Sequence, residues 1–370
     1  GKNSVPDIFD EAKWGLDWLL KMHPRPDWLF NQLADDRDHI GFRLPVNDKA
    51  NYGRGTERPV YFVTGEIQGL NKYKNRTQGT SSISGKFPSA FALGHQLFKK
   101  DAYSDLLRSR ALSAWEFGLR MPGNTQTACY TAPYFYEEDN WVDDMELAAA
   151  QLYNLTGDKK FLQTAFDYAE KEKQTPWMGR DTAGHYQWYP FINLGHYELA
   201  KVSDAKIKAQ IIKFYKDGIE KVFQRGKDNA FLRGVPFIWC SNNLQTSFAI
   251  QCYWYRKLSG DNTYAELEQA TFDWLLGCNP WGTSMVVGLP ADGDYPDDCH
   301  SSLTFLHGWQ TYGSLVDGPI YGTIYRQQRG VAVVRGDEYA DFQSDYVVYH
   351  DDYGDYSTNV AVGIAKQVGV

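Results

Sequence analysis

Long amphipathic segments that arrive in pairs, with no alternation of strand and helix, most constrain what this chain can fold into. Residues 6–23, PDIFDEAKWGLDWLLKMH, open with Pro and Asp, which suit a first helical turn. Their apolar residues recur at Phe9, Ala12, Leu16, Leu19 and Leu20. Further helical stretches are expected near 87–99, 102–120, 204–224, 243–259 and 261–277. The stretches 143–158 and 159–173 meet at Thr-Gly-Asp, a helix stop followed by a fresh start. Joints this short make consecutive helices antiparallel neighbours. Trp14, Trp18 and Trp274 fall on helices, where the core is their expected place.

Between the hairpins run long segments rich in Gly, aromatics and carboxylates: 31–86, 121–142, 175–195 and nearly all of 279–360. Irregular stretches of this length inside a compact chain usually carry function. A ring of hairpins with its loops gathered at one end is an all-α toroid, an (α/α)6 barrel, and the absence of strand–helix alternation disfavours a parallel sheet. No composition shift marks a linker, so residues 1–370 read as one domain.

A net charge of −8 with dispersed Lys and Arg argues against nucleic acid and anionic membrane as partners. No stretch approaches the ~20 apolar residues that span a bilayer. The five cysteines are far apart and form no Cys-x-x-Cys, so buried thiols are expected and zinc or a disulfide framework is not. Aromatic residues reach 15%. Exposed rings of this kind stack on sugar faces while carboxylates and amides take the hydroxyls, which makes a polysaccharide or oligosaccharide a natural partner.

Two loops concentrate the chemistry. DGDYPDDCHSSLT (292–304) carries Asp297, Asp298 and His300, and YHDDYGDYSTN (349–359) carries His350, Asp351, Asp352 and Asp355 among three tyrosines. No cofactor is required by these residues, although clustered carboxylates also suit a calcium ion. Asp143, Asp144 and Glu146 open a helix, where acids favour the dipole and cap, and they lie beside Trp141. Trp188 in HYQWYP and Trp281 in NPWG sit on loops and are candidates for stacking platforms.

The motifs LLGCNPWGTSMVVG, a following His-Ser-Ser, GSLVDGP and YHDDYGDYSTN come in the order found in glycoside hydrolase family 9. PDIFDEAKWGLDWLLKMHP and DDMELAAAQLYNLTGD resemble that family's helices, so the resemblance covers nearly the whole chain. It implies an (α/α)6 barrel of inverting enzymes that mostly cut β-1,4-glucans, and a secreted or periplasmic location. It also implies that His300 binds substrate, and that Asp351 belongs to a second motif with Tyr349 and Tyr356. That motif's general-acid position then falls on Val360. The family's base comes from an aspartate pair upstream of the first helix, in a stretch these residues do not contain. The expectation is therefore a glycosidase domain, N-terminally incomplete, with His300, Asp351 and Asp355 as its catalytic candidates. Trp141, Asp144, Trp188, Trp281, Tyr321 and Tyr353 are its candidate substrate contacts. The alternative is a homologue that binds carbohydrate in the same cleft without turning it over.

Overall fold

The structure is a computed structural model that describes residues 4–39, 41–98, 101–132, 136–179, 191–328 and 331–361. Helices dominate, and the strands among the described residues form only two-stranded pairs. The chain divides into two compact units: Gly1–Ile40, Ala50–Lys173 and Asn193–Ile211 make the first, and Gly41–Lys49, Gln174–Ile192 and Ile212–Val370 the second. Each unit draws on separated stretches of chain, and one boundary falls inside a helix. The sequence consequently shows no linker.

The first unit holds α1 (Asp7–Met22), β1 (Phe30–Leu33), β2 (Val60–Phe62), α2 (Ser81–Ser84), α3 (Lys86–Leu97), α4 (Ala102–Leu119), α5 (Val142–Thr156), α6 (Lys159–Lys171) and α7 (Leu194–Val202). The helices expected in this unit appear within a residue or two of their predicted ends. Asp101 caps α4 by accepting from the Ser104 N–H at 3.0 Å, and Asp158 caps α6 through Lys160 at 3.0 Å. Gly157, at φ 72°, ends α5 in the left-handed conformation that glycine adopts without strain. α3 packs on α4, and α5 on α3, α6 and α7. α5 is accordingly buried over most of its circumference, from Asp143 through Leu152 with only Leu147 partly open. The short α2 lies in a stretch that the sequence reads as loop, and the capped α7 falls mostly between the 175–195 loop and the helix expected from 204.

Trp14 and Trp18 correct an expectation: they are 70% and 40% exposed. At 100° per residue they fall roughly opposite Phe9, Ala12 and Leu16, whose stripe faces α3.

α8 (Ala205–Gly226) runs from the first unit into the second, which also contains α9 (Ser241–Ser259), α10 (Ala265–Leu275), α11 (Ser302–His307), β3 (Leu315–Val316), β4 (Ile320–Tyr321), α12 (Gly322–Tyr325), β5 (Val347–Val348) and β6 (Val360–Ala361). α9 pairs with α10 and is buried along nearly its whole length. Its buried hydroxyls close back on the helix, Thr246 to the Asn242 carbonyl at 2.9 Å and Ser247 to Asn243 at 2.7 Å. The long loop region 279–360 is held by an apolar cluster of Trp274, Trp281, Met285, Val287, Leu315 and Tyr349, among others. Each such large side chain contributes about 1.5–3 kcal/mol of burial. Two antiparallel pairings pin the same region, Val316 with Val360 and Tyr321 with Val347.

Candidate functional site

The loop Tyr349–Asn359 is shaped by its own carboxylates. Asp352 accepts from the N–H groups of Val334 at 2.8 Å, Arg335 at 2.7 Å and Gly354 at 2.7 Å. Gly354 is required there, because a Cβ would lie 1.8 Å from the Ala332 carbonyl oxygen. Asp355 is fully buried and accepts from the Ser357 N–H at 2.8 Å and from His350 Nδ1 at 2.5 Å. On the other side of the imidazole, His350 Nε2 lies 3.6 Å from Asp337. Through these bonds Asp355 positions His350 and the turn.

Asp351 joins this loop to the His300 loop by accepting from the N–H groups of Asp297 at 2.7 Å and Asp298 at 3.2 Å. Burial, helped by the neighbouring carboxylates of Asp297 and Glu338, outweighs those two amide bonds and pushes its carboxyl up to about 8. A carboxyl that keeps its proton at neutral pH can donate it.

His300 is tied in place twice: its N–H donates to the Thr358 carbonyl at 3.1 Å and its Nδ1 to the Tyr353 carbonyl at 2.5 Å. Burial holds the ring below the usual imidazole range. The proton on Nδ1 then makes Nε2 the lone-pair nitrogen. Phe42 and Tyr356 flank the imidazole, each with a ring centroid 4.8 Å away. Phe305 stacks on Phe42 and meets Tyr353, and Trp239 meets Tyr356 edge-on. His300, Asp351, Asp355 and Tyr353 are thus brought together within the second unit, under a rim of aromatic rings of the type that packs on sugars.

The other sequence candidates go elsewhere. Trp281 is only 5% exposed, packed against Trp274 and Tyr349, so it is a core residue and not a stacking platform. Tyr321 packs edge-on to Phe237 and lines a separate cavity with Trp281. Val360, half-buried in β6, packs against the apolar cluster. Trp188 lies outside the described residues. Trp141 and Asp144 belong to the first unit. There Trp141 is half-buried and meets Tyr168 edge-on.

Asp143, Asp144 and Glu146 do not cap α5. No side chain caps that helix, and all three acids are buried. Asp144 pairs with Lys86 Nζ at 2.6 Å, Glu138 shares the same ammonium at 3.0 Å, and Glu146 accepts from His196 Nδ1 at 2.6 Å. Burial raises Asp143 well above its ordinary range, and raises Glu138 and Glu172 to about 8. One lysine cannot offset so many buried carboxylates, so several stay protonated at neutral pH.

Asp351, Asp352 and Asp355 each point at N–H donors, and among the described residues no three His, Cys, Asp or Glu side chains converge to hold a metal. All five cysteines are free; Cys129, Cys252 and Cys299 are buried as expected, whereas Cys240 is half-buried and Cys278 exposed.

Sequence reading missed several participants. Asp317 sits in GSLVDGP, a motif noticed for its glycines; burial lifts its carboxyl to about 7, with side-chain hydrogen bonds to Cys240 and Asn359. Trp239, Phe42 and Phe305 arrive from distant segments without any local signal.

The profile described as Glycosyl hydrolase family 9 matches residues 2–362. Among curated relatives, Endoglucanase 14 of Arabidopsis thaliana is 26% identical over 315 residues, covering 78% of this chain and 59% of the relative. Endoglucanase 20 of the same plant is 24% identical over 384 residues, covering 93% and 73%. The chain thus spans about three-fifths to three-quarters of the length of these two relatives. A metagenome-derived glycoside hydrolase family 9 endoglucanase of solved structure superimposes with a TM-score of 0.67 at 24% identity, covering 97% of this chain and 59% of that one. That likeness shows the fold, an all-α (α/α)6 barrel. With the family profile matched along nearly its entire length, the chain belongs to glycosyl hydrolase family 9.

Proposed function

We propose that the chain is an O-glycosyl hydrolase acting on β-linked glucan or a related plant polysaccharide, and that it does so outside the cytoplasm, where such polymers occur. The observation that carries this reading is the family match over residues 2–362. The chemistry follows from the loop pair. Asp351 holds its proton up to about pH 8 and delivers it to the departing sugar oxygen, while a water on the opposite face of the sugar attacks the anomeric carbon in one inverting step. That water gives its proton to a carboxylate base, which the family resemblance assigns to the aspartate pair outside these residues. His300, fixed through Nδ1, turns Nε2 toward a sugar hydroxyl, and the rings of Phe42, Phe305, Tyr353 and Tyr356 orient the pyranose. The His350–Asp355 pair holds the loop in register.

A second reading, binding without turnover, is favoured by Val360: the residue at the acid position of the family resemblance is apolar and packs against the core. One experiment separates the two. Soluble β-1,4-glucan is incubated with the protein, reducing ends are counted, and electrophoretic retardation in a glucan-containing gel is measured alongside. Reducing ends released in proportion to enzyme support hydrolysis. Retardation without release supports the binder, and neither result overturns both readings.

A further inference from the structure

A cavity of about 420 Å³ lies wholly within the second unit, and the candidate catalytic loops do not line it. Its wall comes from the segment following α8, the end of α10 with Pro280 and Trp281, Tyr321 of β4, and the stretch 342–347. Most of that wall is ring and aliphatic surface. The polar side chains in it are Arg225, Asn229, Ser344 and Arg233; Arg225 donates to the carbonyls of Gly234 at 2.9 Å and Met178 at 2.6 Å, whereas Arg233 is 7% exposed. Its guanidinium lies 3.9 Å from the Trp274 ring centroid and 4.2 Å from that of Phe237. Nη1 donates to Gln245 Oε1 at 3.0 Å, while Nε and Nη2 are buried without a hydrogen-bond partner. Among the described residues, no Asp or Glu lines the cavity. The Trp281 indole Nε1, also in this wall, is a second buried donor without a partner.

A buried guanidinium with two idle donors and no carboxylate is costly, because desolvation disfavours the charge and two ring faces and one amide oxygen offset only part of that cost. Burial indeed lowers Arg233 to about 9. The local backbone is nonetheless built to hold it there. Asn229 accepts from the Arg233 N–H at 3.0 Å and donates to the Arg233 carbonyl at 2.7 Å. Gly234 brings the chain so close to α8 that a Cβ would lie 1.9 Å from the Val222 carbonyl oxygen. The donors left over are a fork and an indole N–H, which together suit the two oxygens of a carboxylate. The surrounding rings suit a flat apolar body.

We propose that this cavity is a binding site for a small aromatic carboxylate, its carboxylate seated on Arg233 and Trp281 and its ring against Trp274 and Phe237. The site does not depend on the glucan-hydrolase reading. Benzoate is the probe, titrated into the whole chain by calorimetry and by tryptophan fluorescence, with benzamide and glucuronate as comparisons. Benzoate should bind one to one and quench fluorescence, with benzamide and glucuronate at least tenfold weaker. Arg233→Met should weaken benzoate at least tenfold while keeping the circular dichroism spectrum and a melting temperature no lower than the parent's. Trp281→Phe should weaken it severalfold and leave it measurable. Equal binding of benzoate by Arg233→Met overturns the proposal, as does preference for glucuronate or benzamide. No benzoate binding to the parent overturns it too, and would leave ordered water as the cavity's occupant.

Discussion

Glu172→Gln should stabilise the protein at alkaline pH and do little at acid pH. Glu172 lies in the buried carboxylate group of the first unit, beside Asn140 and Asn193, and shares that interior with Asp143, Asp144, Glu146, His196 and Lys86. Burial first, and the Glu146 carboxylate second, lift it from 4.5 to about 8. The folded chain therefore keeps this proton at pH values where the unfolded chain has released it. The stabilisation is complete below about pH 4.5 and is lost as pH rises through about 8. Each pH unit over which the folded state holds one extra proton is worth about 1.4 kcal/mol, which bounds the loss at about 5 kcal/mol. Sharing of protons with Asp143 and Asp144 reduces this to a few kcal/mol. Glutamine copies the protonated group in shape and keeps an acceptor for Asn193, so it removes that loss. The assay is urea unfolding of parent and variant at pH 5 and pH 8.5. The variant should gain ~2–4 kcal/mol at the higher pH and under ~1 kcal/mol at the lower. An equal effect at both, or destabilisation at pH 8.5, refutes the claim that Glu172 is held protonated.

Leu107, fully buried between α3 and α4, should cost ~2–5 kcal/mol when cut to alanine, read as a lower urea midpoint at unchanged slope. Gly234→Ala should cost ~1–3 kcal/mol, because its methyl meets the Val222 carbonyl at 1.9 Å and the backbone must move. Val360→Glu should lower the melting temperature without adding turnover, since it sets a charge against the apolar cluster; reducing-end assay and thermal melt together check this.

The helices were legible because their apolar period and their caps are local: Asp101, Asp158 and Gly157 each act within a few residues of themselves. Even the exposed Trp14 and Trp18 follow from that period once the angle from Leu16 is counted. The loop residues were legible as chemistry but not as geometry. Nothing local in YHDDYGDYSTN says that Asp352 and Asp355 turn onto backbone and imidazole N–H groups, while Asp351 stays protonated beneath the His300 loop. Trp281 follows Asn-Pro and looks like an exposed ring, yet Trp274 and Tyr349 close over it. Arg233 gives no sequence signal either, because its environment comes from residues that lie up to about a hundred positions away.

The rate of reducing-end release from soluble β-1,4-glucan against pH, for the parent and Asp351→Asn, tests the central claim most directly. With Asp351 as proton donor, kcat/KM of the parent should fall as pH rises through about 8. The variant should lose about 10²–10⁴-fold in rate while retaining its affinity for the glucan in gel retardation. A variant that keeps the parent's rate, or a parent whose rate is flat from pH 6 to pH 9.5, would contradict the account.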